Sequence, residues 1–121
     1  MEVLRESTNE LSVERDVVTG TVTTRVVDDF GEYRIPPHGM VSGDKVEEVY
    51  SIQDGDPCSA TASMIWDTCT ARGDWKTSTH TQTTMSCDQD YFYIEADMVA
   101  YEGDTIVFQR GWQRKIKREL V

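Results

Sequence analysis

Apolar residues return at every second position along most of this chain. In "KVEEVYSIQ", Val46, Tyr50 and Ile52 take one side, while Glu47 and Val49 take the other. In "CSATASMIWDTCTA", Ala60, Ala62, Met64 and Trp66 share a side. In "YFYIEADMVAY", Phe92, Ile94, Ala96, Met98 and Ala100 share one, with Glu95 and Asp97 opposite. In "TIVFQRGWQRKIK", Ile106, Phe108, Trp112 and Ile116 do the same. A period of two is the mark of a pleated strand with one face buried.

Between these segments stand short turn sequences: "DGDP", "RGD", "CDQD" and "EGD". Turns this tight join antiparallel neighbours. "DVVTGTVTTRVVDD" is rich in Val and Thr, which suit a half-buried pleated surface. "WKTSTHTQTTMS" is almost wholly polar, but its dense threonines also read as a strand. The pattern predicts an all-β protein, an antiparallel up-and-down meander of about six to eight strands. Such a meander buries its apolar face by forming a small barrel or a β-sandwich. Residues 1–14 are polar and without clear period. They are expected as a flexible or extended arm, irregular or forming one short helix, ahead of a single β-domain over residues 15–121.

The last predicted strand contains a conflict. Its inward parity places Arg110 and Arg114 among Phe108, Trp112 and Ile116. An arginine there must snorkel, pair with a carboxylate or face a partner. Gly111 stands between the two and is the expected place for a bulge that would switch the parity. From Asp104 to Val121 there are five Lys or Arg against two acids, a local +3 in a chain whose net charge is −10. The basic tail reads as a charged strand lying on an acidic sheet.

Composition narrows the function classes. With 121 residues and 38% hydrophobic content, the chain has the size and apolar share of one folded domain. Its acidity argues against nucleic-acid binding, which needs a basic face. No apolar run is long enough for a membrane span, and the acidic, polar start is unlike a signal peptide. Cys58, Cys69 and Cys87 are too few and too scattered for a disulfide framework or a zinc site, and are read as reduced. These features point to the cytoplasm, with no cofactor and no metal.

Catalytic patterns are missing. "GMVSGD" lacks the spacing of a nucleophile elbow. Cys87 and His80 have opposite parity on one strand and would point to opposite faces. The acidic turns do not continue into calcium loops. What remains are aromatic and cationic side chains on or beside strands. Trp66, Trp75, Tyr91, Arg110, Trp112 and Arg114 are the candidates for an interface or pocket.

Several motifs carry a resemblance. V-x-D-D-F-G-x-Y-R-I, the acidic turn before P-x-S-A, R-G-D-W, and A-Y-E-G-D followed by V-F occur in this order between Arg15 and Val121. In this the chain resembles the far C-terminal region of bacterial cocaine-esterase/NonD-type hydrolases, relatives of the Xaa-Pro dipeptidyl-peptidases. The resemblance implies a non-catalytic accessory β-domain of an α/β-hydrolase, since no residue matches the family's Ser-His-Asp triad. It implies as partner the hydrolase's catalytic domain or a second copy of the chain. The alternative is a stand-alone β-barrel that binds a small ligand between its Trp and Tyr side chains.

Overall fold

The computed structural model describes residues 1–120. Among them eight strands form: β1 Glu2–Arg5, β2 Thr8–Arg15, β3 Thr21–Ile35, β4 Met40–Gln53, β5 Asp56–Arg72, β6 Trp75–Cys87, β7 Tyr91–Glu102 and β8 Thr105–Lys117. All pairs are antiparallel, in one sheet ordered β1-β3-β4-β5-β6-β7-β8, with β2 also on β3. The all-β up-and-down meander expected from the period-two pattern is therefore present. Among the described residues no strand contacts any other than its hydrogen-bonded neighbours, so the sheet stays open and one layer thick. No helix forms among the described residues, so none is long and apolar enough to cross a membrane.

The turns follow from their sequences. Asp54–Gly55 joins β4 to β5 with Gly55 at φ 77°, the backbone that a two-residue hairpin demands. At the β6–β7 connection Asp88 Oδ1 accepts from the backbone N–H of Asp90 and of Tyr91, both at 2.8 Å. That is an Asx turn, with the carboxylate standing in for a backbone acceptor.

The N-terminal arm runs extended. The single helical turn among the expectations does not form, because Leu11 and Val13 alternate with polar residues and the long edge of β3 accepts them. β2 pairs with residues 22–29 of β3 and β1 with residues 32–34. Between them β3 bulges at Phe30–Gly31. Gly31 sits at φ +79°, and a Cβ there would lie 2.4 Å from the Arg5 carbonyl oxygen, so only glycine lets β1 approach.

Cross-strand register assigns every strand residue a face. Val46, Trp66, Thr81, Met98 and Arg110 stand in one row. The residues read from sequence as inward, from Tyr50 and Met64 to Ile94 and Trp112, fall on that same apolar face. Ile106 does not. A register shift between Ala100 and Tyr101 sets it opposite Tyr101, on the other face. The bulge expected at Gly111 is absent, since Gly111 pairs with Asp97 in unbroken register. The threonines of β6 at 77, 79, 81 and 83 lie on the apolar face, while Ser78, His80 and Gln82 lie on the polar one.

One open layer cannot bury much. Among the described residues the only buried hydrophobic side chain is Val46, at 8% exposure. Trp66, near the middle of the apolar face, is 42% exposed.

Candidate interaction face

The six sequence candidates divide between the two faces. Trp66, Trp75, Arg110, Trp112 and Arg114 share the apolar face; Tyr91, opposite Lys117, is on the polar one. The five are spread out rather than gathered. Trp66 and Arg110 share a row but stand three strands apart, about 14 Å at ordinary strand spacing. Trp75, opposite Arg72 beside the β5–β6 turn, lies about 20 Å along the strands from Trp66. They mark out a surface, not a pocket.

The two arginines keep their inward parity. The Arg110 guanidinium lies 5.0 Å from the centroid of the Trp112 ring, a cation–π contact. Arg114 Nη1 donates to the Gln113 carbonyl at 2.8 Å. Glu95 and Asp97 on β7 face the other side, opposite Gln113 and Gly111. Among the described residues neither arginine is in an ion pair. The basic tail is thus split by the pleat. Lys115 projects to the polar face, with Nζ 3.9 Å from the Tyr91 ring centroid.

Other residues on the apolar face were not among the candidates. Leu11 and Val13 on β2 are 73% and 67% exposed, and by register they share the face with Val26 and Thr24. An open groove of about 390 Å³ runs over Val22, Tyr50, Ile52, Ala62, Met85 and Phe92. Alternation in "ELSVER" was the signal for β2, masked by its polar flanks.

The polar face holds a second hollow, of about 560 Å³, bordered by Arg5, Glu32, Lys45, Cys69, Lys76 and His80. Arg5 donates to Asp29 and, through Nε at 3.2 Å, to Glu32. The Arg5 hydrogen bond holds the Asp29 carboxyl below its usual range, helped by the Gly31 N–H. Arg5 and the Cys69 thiol lower Glu32 likewise. Burial, then Glu32, push the Cys69 thiol upward. A thiol raised in this way and donating to a carboxylate at 3.3 Å is a poor nucleophile. His80 Nδ1 contacts Asp67 Oδ1 at 2.5 Å, yet among the described residues no serine or cysteine is hydrogen-bonded to the ring. Activation of a serine or cysteine by this histidine requires that pairing. Among the described residues no three His, Cys, Asp or Glu side chains converge to hold a metal ion.

No model of a known protein family matches the chain, and no curated protein or solved structure matches it either.

Proposed function

We propose that this chain is a non-catalytic accessory β-domain of an α/β-hydrolase of the cocaine-esterase kind, and that it works by assembly through its apolar face. The observation that carries the assembly role is the open face itself. Trp66, Tyr50, Ile52, Met85, Phe108 and Ile116 all stand on it at 40% exposure or more. Exposed apolar surface of this extent marks an interaction site. A sheet with one apolar face finds its second layer in another element, here the catalytic part or another subunit. The order of motifs from Arg15 to Val121 supports the hydrolase parentage. The same reading makes the protein cytoplasmic, in keeping with three free cysteines.

The test uses a hydrolase of this kind cut before its own C-terminal β-domain. Mixed with the present chain, it is expected to co-elute with it and to gain thermal stability. Separate elution with an unchanged Tm would defeat the accessory reading.

A further inference from the structure

Area, charge and register together say what covers the apolar face. A folded monomer of 13.8 kDa exposes about 6,600 Å² by the usual scaling. This chain exposes 8,696 Å², an excess of about 2,000 Å². Two copies that each hide that excess remove about 4,000 Å² in total, within the range of obligate homodimers.

Charge on the apolar face is divided. Arg15, Asp44, Arg72 and Glu102 lie toward its ends; nearer the middle, Asp28 and Glu48 lie on the β3–β4 side, and Arg110 and Arg114 on β8. Register then links the two sides. Arg110 stands in the same cross-strand row as Asp28, and Trp112 in the row of Leu11 and Val26.

We propose that a second copy of this chain covers the face, giving a two-sheet sandwich about a two-fold axis parallel to the strands and lying over the gap between β5 and β6. The inference rests on the reading that the apolar face is the assembly surface. Such an axis turns each row back on itself. It sets β8 over β3, carrying Arg110 of one copy over Asp28 of the other and Trp112 over Val26. A two-fold axis perpendicular to the strands would stack β8 on β8 and oppose arginine to arginine, so charge selects between them. The contact is isologous, each patch serving both copies, and the sheets meet at the usual angle of about 30° for aligned packing. In a hydrolase carrying this domain, the sandwich joins two catalytic units.

Sedimentation equilibrium on the chain alone tests this. The expected mass is twice 13.8 kDa, with no larger species. Trp66→Asp at the centre is expected to abolish the dimer but also endangers the fold, so the charge swap at the rim carries the test. Arg110→Asp and Asp28→Arg, each alone, should weaken the dimer roughly tenfold, and the two together should restore it. Gln82→Asp on the polar face should leave it unchanged. A monomer, an open-ended series of oligomers, or a dimer that the double variant fails to restore overturns the proposal. The hydrophobic dye ANS separates the two readings. A monomer that binds it strongly removes the second copy but keeps the apolar face as an assembly surface. A monomer that ignores it removes both.

Discussion

The two faces of this sheet share one backbone and treat their charges differently. Among the described residues, five of the six ion pairs lie on the polar face, and the sixth joins Arg15 to Asp54 in the β4–β5 turn. Arg5 pairs with Asp29 and Glu32, Arg25 with Glu47, Arg34 with Glu2 and His80 with Asp67. On the apolar face, Arg110 rests on a tryptophan ring and Arg114 on a neighbouring carbonyl. One face holds most of the ion pairs. The other carries aromatic and aliphatic side chains with nothing above them. This difference is the ground on which we propose the second face, and not the first, as the assembly surface.

The sharpest way to break this contrast is to charge the centre of the apolar face. Val46→Asp places a carboxylate at a buried hydrophobic position, in register with Asp28. It is expected to cost about 3 kcal/mol in urea unfolding, through burial of an unpaired charge. Lys45→Ala, one residue away on the polar face, should cost less than about 0.5 kcal/mol. Equal losses at the two positions would mean that the faces do not differ. Next in size is Gly31→Ala. Its Cβ would collide with the Arg5 carbonyl at a left-handed backbone position, for a cost of about 2 kcal/mol. The same change at Gly55 meets open space and carries the backbone penalty alone, about 1 kcal/mol.

Much of this arrangement was legible in the sequence, and the missing parts have physical reasons. Parity over Ala62–Met64–Trp66 and Phe92–Ala100 put the right residues on one face, because a strand's side-chain period is fixed at two. The hairpins were legible from their Gly and Asp residues. Strand β2 was not, since a polar edge strand owes its order to pairing with β3 rather than to its own propensity. Bulge positions were not legible either. Glycine at 111 continues the ladder beside Asp97, while the shifts occur between Val3 and Arg5, at Phe30–Gly31, between Ser51 and Gln53, and beside Val107. Whether a meander closes depends on twist summed over the whole sheet, a quantity no local pattern records. Of the candidate site, the tryptophans and arginines on β5 and β8 were legible by type. The cluster of Arg5, Asp29, Glu32 and Cys69 was not, because it draws on β1, β3 and β5.

That cluster gives the smallest effect, and its sign is fixed. Asp29 and Glu32 have folded pKa values depressed chiefly by Arg5. Their contribution is full above the unfolded carboxylate pKa of about 4 and fades as the pH falls through the lower folded values. Solvent reaches this part of the sheet and screens the pairs, so the whole contribution stays below about 1 kcal/mol. Urea midpoints measured from neutral pH downward should show a shallow acid limb, and Arg5→Gln should flatten it. Arg110→Gln, whose guanidinium on the apolar face meets no carboxylate, should leave that limb unchanged for the single chain. A limb that disappeared with Arg110 instead would put the working ion pairs on the wrong face and undo the contrast.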